Sequence, residues 1–264
     1  MSTDKPTGVD TYNATIERIE TVADGLSIFF IRPDTPIPGR LPGHYVSIGL
    51  VGPDGKKLIR RPYSLSQSLG PAADPDLLEL LIIRVPEGDL TPILFDQNEG
   101  DRLFVRPKMV GTYLLPKLDA DMTLILTSTG TGVAPHMTML ETCVDTCKQV
   151  VMMECVRYSA ELAYAEQIRQ FQQTHPNLVY ISLVTREGGA KRYIQDYFRD
   201  GILEKEHGVS IAPETTHVFA CGNPAMIGIP KEGRKTGALS YDTPGGLVEM
   251  LTTRYGLTLS LIHI

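Results

Sequence analysis

The chain changes texture near Lys117-Leu118-Asp119-Ala120-Asp121, and this change constrains its fold more than any other feature. Upstream, short apolar or β-branched runs predict strands over Thr15–Ile19, Leu26–Ile31, Tyr45–Leu50, Leu78–Val85 and Arg102–Arg106. Clusters such as Pro33-Asp34-Thr35-Pro36, Gly52-Pro53-Asp54-Gly55 and Gly70-Pro71 cut these runs apart. Short strands at that spacing, with little helical periodicity, predict a small antiparallel barrel. Downstream the pattern alternates. A strand over Thr123–Thr127 leads through a glycine loop to a helix from about Pro135 to Lys148, then a strand over Gln149–Cys155. A helix over Ala160–Thr174 follows, with strands over Leu178–Thr185 and His217–Ala220. Strands alternating with helices build parallel β-α-β units. The fold expected is therefore two-domain, an N-terminal antiparallel β-barrel over 1–117 and a C-terminal α/β parallel-sheet domain over 118–264. A chain of 264 residues accommodates both.

Composition narrows the function classes. No stretch reaches eighteen uncharged apolar residues, so no membrane span is expected, and Met1-Ser2-Thr3-Asp4-Lys5 lacks the layout of a secretory signal. A cytoplasmic location is the default. The net charge of −6 argues against nucleic acid as a partner. The cysteines, Cys143, Cys147, Cys155 and Cys221, match no zinc or iron–sulfur spacing, and the six histidines include no pair at metal-ligand spacing. No metal is expected. Cys143 and Cys147 stand four apart on the predicted helix and share a face, which suits simple packing.

Three short motifs carry the chemistry. In Arg61-Pro62-Tyr63-Ser64-Leu65, proline belongs on a strand edge or opening, because it lacks a donor for a central ladder. Its neighbours are then exposed: an arginine able to pair with phosphate, a tyrosine able to lie against a planar heterocycle, and a serine hydroxyl beside it. In Gly130-Thr131-Gly132-Val133-Ala134-Pro135, two glycines leave room for close backbone approach, and Pro135 suits the first turn of a helix whose N-terminus favours a pyrophosphate. From these residues alone, a plain strand-to-helix turn fits equally well. Cys221-Gly222-Asn223-Pro224-Ala225-Met226 ends an apolar strand in a sharp turn.

In this order and at these separations, the three motifs resemble those of the ferredoxin–NADP reductase family. The resemblance extends over roughly residues 12 to 257. It takes in Leu41-Pro42-Gly43-His44-Tyr45-Val46, similar to the family's P-G-Q-[FY] strand with His44 in place of Gln. It also takes in Leu81-Ile82-Ile83-Arg84-Val85-Pro86-Glu87-Gly88-Asp89-Leu90-Thr91 and the later glycine segment Lys108-Met109-Val110-Gly111-Thr112-Tyr113. The resemblance implies FAD on the barrel, with Arg61 on its phosphate, Tyr63 against the isoalloxazine, Ser64 near N5 and Pro62 also in the cofactor site. Leu81, Ile82, Ile83, Arg84, Asp89, Leu90, Thr91, Gly111 and Thr112 would complete the FAD site, mainly through backbone groups. It implies NADP on the α/β domain, held by Gly130, Thr131 and Gly132. Gly222, Asn223 and Pro224 would shape the nicotinamide pocket, with Cys221 beside the point of hydride transfer. Arg157, Arg186 and Arg192 resemble, in local context, the arginines that clamp the 2′-phosphate.

The resemblance further implies an oxidoreductase that moves electrons between NADPH and ferredoxin or flavodoxin, with Ser64, Tyr63 and Cys221 at the reacting atoms. Lys56, Lys57, Arg60, Arg61, Arg102, Arg106 and Lys108 crowd the first half of the chain. They read either as an ordinary solvated face or as a basic rim where an acidic redox partner docks. A monomer is expected. Two other readings stand beside this one: an NAD(P)H-dependent reductase serving an oxygenase or free flavin, and a non-catalytic FAD electron-transfer subunit of a larger enzyme. The family's closing aromatic residue has no counterpart after Tyr255, and the tail Leu259-Ser260-Leu261-Ile262-His263-Ile264 looks like a truncated or foreign end.

Overall fold

A computed structural model describes residues 11–69, 74–189, 191–232, 239–241 and 245–264. The predicted turn at Gly70-Pro71 and the first ten residues lie outside them. The chain forms two compact units. One extends to Leu114 and takes in Ala134–Thr138; the other comprises Leu115–Val133 and Met139–Ile264.

The first unit is a six-stranded antiparallel sheet of β1 (Ala14–Ala23), β2 (Leu26–Pro33), β3 (Tyr45–Val51), β4 (Leu58–Ser64), β5 (Leu78–Ile83) and β6 (Arg102–Val105), in the order β4-β3-β6-β1-β2-β5. The Ser66↔Glu79 bridge joins the continuation of β4 to β5 and closes the sheet on itself. Alternation sets the inside. Leu78, Leu80 and Ile82 of β5 meet Phe29 and Ile31 of β2 and Val46 and Ile48 of β3 in one core. Each such buried side chain stabilises the barrel by roughly 1.5–3 kcal/mol. A short helix α1 (Thr91–Leu94) follows β5.

Five predicted strands appear within a few residues of their expected bounds. The sixth, β4, was not anticipated as a strand, because Arg60, Arg61 and Pro62 interrupt any apolar alternation. Its place at the end of the strand order supplies the edge that Pro62 requires.

The second unit has a five-stranded parallel sheet in the order β13-β10-β7-β8-β9. Its strands are β7 (Thr123–Thr129), β8 (Gln149–Val156), β9 (Leu178–Val184), β10 (Thr216–Cys221) and β13 (Ile262–His263). The helices are α2 (Val133–Val144), α3 (Ala165–Thr174), α4 (Ile194–Arg199), α5 (Ile202–His207), α6 (Pro224–Ile227) and α7 (Leu247–Thr253). A separate hairpin pairs β11 (Pro230–Glu232) with β12 (Leu239–Tyr241).

Two expected helices need correction. The helix expected over 135–148 starts at Val133, after a 3₁₀ turn over Gly130–Gly132, and stops at Val144. Cys147 therefore lies beyond the helix, although its N–H still donates to the Cys143 carbonyl at 2.8 Å and both thiols are buried. The helix expected over 160–174 is broken. Ser159–Glu161 make one 3₁₀ turn, Leu162 leaves helical geometry at φ −77° and ψ 76°, and α3 starts only at Ala165. At the break the Glu161 carboxylate folds back and accepts from the Arg157 guanidinium and backbone N–H. The short helices α4, α5 and α7 escape a periodicity reading, being no longer than seven residues. The tail is built into the sheet, with Ile262 opposite Val218 and the His263 ring 4.1 Å from that of Phe219.

Among the described residues no helix is long and apolar enough to cross a membrane, and no cluster of three or more His, Cys, Asp or Glu could hold a metal ion.

Candidate functional site

On the first unit, β4 presents Arg61 and Tyr63 from an edge whose other side pairs with β3. The Arg61 guanidinium is half-exposed and meets the Asp89 carboxylate at 2.5 Å, while its Nη1 donates to the Arg60 carbonyl at 2.9 Å. Asp89 arrives on a tight turn. Gly88 N–H donates to the Val85 carbonyl at 2.9 Å, and the Thr91 hydroxyl accepts from Val85 N–H at 2.9 Å and donates to its carbonyl at 3.1 Å. A Cβ on Gly88 would lie 3.1 Å from that carbonyl, so the turn wants glycine. Leu90 and Thr91 are buried and fix the turn, leaving Asp89 outside. Leu81 and Ile82 are buried as well, so only their backbone could meet a ligand, whereas Ile83 and Val85 are 39% and 46% exposed.

Tyr63 is half-buried, and burial pushes its hydroxyl up to about 12. Ser64 lies opposite Tyr45, whose N–H and C=O pair with Val110 at 2.8 and 3.1 Å. Gly111 follows at φ +144°, a conformation costly for any other residue, with a built Cβ only 3.4 Å from the Tyr45 ring. The structure thus joins Arg61 to Asp89, and Ser64 through Tyr45 to the Gly111-Thr112 segment. The exposed apolar pair Ile83 and Val85 lies in a segment that sequence reading valued mainly for its backbone.

On the second unit, β7 and β10 are adjacent and parallel, with Ser128 opposite Cys221. Their C-terminal ends therefore deliver the two glycine-bearing turns side by side. A Cβ on Gly132 would sit 2.2 Å from the Cys221 carbonyl oxygen, and one on Gly222, at φ +135°, 2.1 Å from Thr129 Oγ1. That Thr129 hydroxyl accepts from Asn223 N–H at 2.6 Å, and Asn223 Oδ1 caps α6 by accepting from Ala225 N–H at 2.8 Å. Gly130, at φ +53°, has nothing within 4 Å of its built Cβ, so its side of the loop is open. The open loop runs into the N-terminus of the twelve-residue α2, where Val133 N–H already donates to the Gly130 and Thr131 carbonyls and Pro135 has no N–H, so it is the helix dipole that favours an anion there. Thr129 is a residue that motif reading passed over, and its only signal was a hydroxyl directly before the glycine loop.

Burial pushes the Cys221 thiol up to about 11, so it stays protonated at neutral pH. Arg157 and Arg186 lie together past the ends of β8 and β9, with Arg186 N–H donating to the Arg157 carbonyl at 2.9 Å. Glu161 takes the Arg157 guanidinium at 2.8 Å, and Arg186 is exposed. Arg192 is exposed in the segment leading into α4, and among the described residues no hydrogen bond joins it to either arginine. Further down β8, buried Glu154 accepts from the Tyr180 hydroxyl at 2.8 Å, and burial pushes its carboxyl up to about 7.

Of the seven first-half cations, Arg61 and Arg102 are engaged by Asp89 and Asp34. Lys56, Lys57, Arg60, Arg106 and Lys108 are exposed. Arg60 crosses Gly49, where a Cβ would meet its Cγ at 2.7 Å, to lie 5.7 Å from the Phe104 ring centroid on β6.

Comparison with known proteins agrees with this geometry. Residues 126–232 match the family model described as the oxidoreductase NAD-binding domain. The flavodoxin/ferredoxin–NADP reductase of Buchnera aphidicola subsp. Schizaphis graminum is 32% identical over 178 residues, 65% of this chain and 68% of that protein. The ferredoxin–NADP reductase of Pseudomonas aeruginosa is 33% identical over 197 residues, 70% of this chain and 74% of that protein. In fold, a Neisseria gonorrhoeae ferredoxin–NADP⁺ reductase, solved with bound FAD and NADP, matches with a TM-score of 0.71 at 19% identity over 87% of this chain and 96% of that one. A cytochrome P450 reductase of Amycolatopsis matches at 0.69 and 24%, over 96% of this chain and 68% of that one. On identity and coverage together, the chain belongs to the flavodoxin/ferredoxin–NADP reductase family.

Proposed function

We propose that this protein is an FAD-dependent reductase that moves electrons between NADPH and ferredoxin or flavodoxin, with FAD on residues 1–117 and NADP on 118–264. The observation that carries the reading is the interlock of the turns after β7 and β10. There Gly132 and Gly222 are packed to backbone contact while Gly130 stays open beside a helix N-terminus. Such a cradle accepts a pyrophosphate against bare backbone, which a decorative turn has no need to build. The donor set on β4 fits a flavin nucleotide equally: a half-exposed guanidinium, a half-buried phenol and a hydroxyl at an edge.

Bound FAD would supply two-electron uptake from the nicotinamide and release of electrons singly to the partner. The chain's own residues bind and orient. Arg61 would exchange part of its pairing with Asp89 for a flavin phosphate, Tyr63 would pack its ring on the isoalloxazine, and Ser64 would offer a hydrogen bond near N5. Cys221, protonated throughout the neutral range, would fill space against the nicotinamide rather than transfer a proton. Arg157 and Arg186, adjacent past the strand ends, would hold a 2′-phosphate, with Arg192 as a third cation. The exposed Arg60, Arg106 and Lys108 would steer an acidic partner toward the barrel.

The test is an anaerobic titration of the purified yellow protein with NADPH and with NADH, followed by its visible spectrum. Bleaching by NADPH at far lower concentration than NADH supports the reading. Flavin that neither nucleotide bleaches favours an electron-transfer subunit, and absence of bound flavin rejects the assignment of Arg61, Tyr63 and Ser64.

A further inference from the structure

Past the ends of β8 and β9 the chain keeps the hydrogen bonding of the parallel pair. Thr185 N–H donates to the Val156 carbonyl at 3.1 Å, and Arg186 N–H to the Arg157 carbonyl at 2.9 Å. This continuation brings Ser159 and Glu187 together across a sequence separation of 28 residues. One carboxylate oxygen, Glu187 Oε1, accepts from Ser159 N–H at 2.7 Å and from the Ser159 hydroxyl at 3.0 Å. Both residues are exposed, so the contact lies within reach of a ligand.

A second carboxylate holds the same turn. Glu161 accepts from Arg157 N–H at 2.9 Å and from its Nε and Nη2 at 3.1 and 2.8 Å. The two acids thus occupy both Ser159 donors and two of the three guanidinium nitrogens of Arg157. They are placed with different firmness. The Glu161 side chain is 14% exposed and fixes the direction of Arg157, whereas Glu187 is exposed and, among the described residues, rests on Ser159 alone. The Arg186 side chain joins no hydrogen bond or ion pair among the described residues. Two guanidinium charges and two carboxylate charges on this surface cancel.

That balance bears on the two nicotinamide dinucleotides, which differ only at the adenine ribose. NADPH carries a 2′-phosphate with about two negative charges and three strong acceptor oxygens. NADH carries a hydroxyl that can donate. An arginine accommodates the phosphate, and a carboxylate accepts from the hydroxyl. An ionised Glu187 is an acceptor only, so it receives the hydroxyl and repels the phosphate. We propose that Glu187 is a specificity-determining residue, whose carboxylate holds the Ser159 donors against a 2′-phosphate and so narrows the preference for NADPH over NADH. Glu187 leaves Ser159 when NADPH binds, and accepts from the 2′-hydroxyl when NADH binds. The inference rests on the reading of Arg157 and Arg186 as the phosphate clamp, and adds to it a group that opposes the phosphate.

Adenosine 2′,5′-bisphosphate and adenosine 5′-monophosphate differ only in the 2′-phosphate and serve as probes. Each is titrated calorimetrically into the full-length flavin-loaded protein and into Glu187→Gln, Glu187→Ala, Arg157→Ala and Arg186→Ala. Glu187→Gln removes the charge alone, and Glu187→Ala also frees Ser159. The bisphosphate is expected to bind about threefold more tightly to the first and about tenfold more tightly to the second, while the monophosphate holds or weakens. The concentrations of NADPH and NADH that half-bleach the flavin should move apart by the same factors. Weaker binding of the bisphosphate to both Glu187 variants would make Glu187 a scaffold for Ser159 and overturn the inference. Equal changes for the two probes would overturn it as well. Failure of the underlying reading has another signature: Arg157→Ala and Arg186→Ala would leave the bisphosphate unaffected, and the inference would fall with the clamp. If those variants weaken the bisphosphate and neither Glu187 variant tightens it, the clamp stands and Glu187 alone is misassigned.

Discussion

On β4 the groups proposed to meet a ligand are side chains held by charge, with Arg61 on Asp89 at the surface. In the turns after β7 and β10 they are backbone atoms held by contact, with room for no Cβ at Gly132 or Gly222. The first arrangement should tolerate substitution structurally and lose affinity. The second should lose its shape before its chemistry can be questioned. Recognition by side chains and recognition by bare backbone thus fail in different observables, and that contrast can be tested.

The largest effect belongs to the backbone pair. Gly132→Ala and Gly222→Ala each force a methyl against atoms little more than 2 Å away, in Gly222 with φ at +135° as well. Overpacking and backbone strain each cost about 1–3 kcal/mol, so the loss should exceed that of any exposed change on β4. Gly130→Ala, with open space around it, should cost only about 1–2 kcal/mol for its left-handed conformation. Calorimetric melting of the three variants checks this, and equal Tm values would break the comparison.

The next largest concerns a charge inside the second sheet. The Glu154 carboxyl is raised by burial from 4.5 to about 7, which favours the folded state while the group is protonated. That contribution is complete below the unfolded value and is lost as pH rises from about 4.5 to 7, a span worth roughly 3 kcal/mol. Glu154→Gln keeps an acceptor for the Tyr180 hydroxyl and should abolish the decline. Urea melts of both proteins between pH 4.5 and 8 decide it. Parallel curves would show that the carboxylate is not desolvated.

Arg61→Ala sharpens the other arm. Its pair with Asp89 is solvent-exposed, and such pairs contribute about 0–1 kcal/mol, so Tm should hardly move. A lost charge-assisted bond to phosphate weakens FAD by about 10–100-fold, measured by flavin fluorescence on rebinding to the apoprotein. A large fall in Tm with intact flavin affinity would reverse the assignment of roles.

How far the chain could be read without coordinates follows the same division. The alternation of Leu78, Leu80 and Ile82 and the apolar run Thr123–Thr127 carry their own periodicity, so barrel and parallel sheet were legible. β4 was not legible as a strand, because Arg60, Arg61 and Pro62 satisfy an edge and break the pattern of an interior. The break before α3 coincides with Glu161 folding back to Arg157, a side-chain choice that helix periodicity cannot register. Thr129 meets Asn223 across a sequence separation of 94 residues, which only the parallel pairing of β7 and β10 brings together.

The smallest effect expected is at Cys221, where the contact-held turns make a thiol passive. Its folded value of about 11 stands above the usual 9, so its contribution to stability is complete below about 9 and is lost only as pH climbs toward 11. Across pH 6–9 neither stability nor the rate of NADPH-dependent flavin bleaching should carry a titration from this residue. Because the thiolate is the nucleophile, iodoacetamide should modify folded Cys221 about a hundredfold more slowly than an exposed thiol at pH 8. Peptide mapping after timed alkylation separates it from the buried Cys143, Cys147 and Cys155. Rapid modification would mean an acidic thiol at the turn, and with it a chemical part for Cys221 in place of the positional one assigned here.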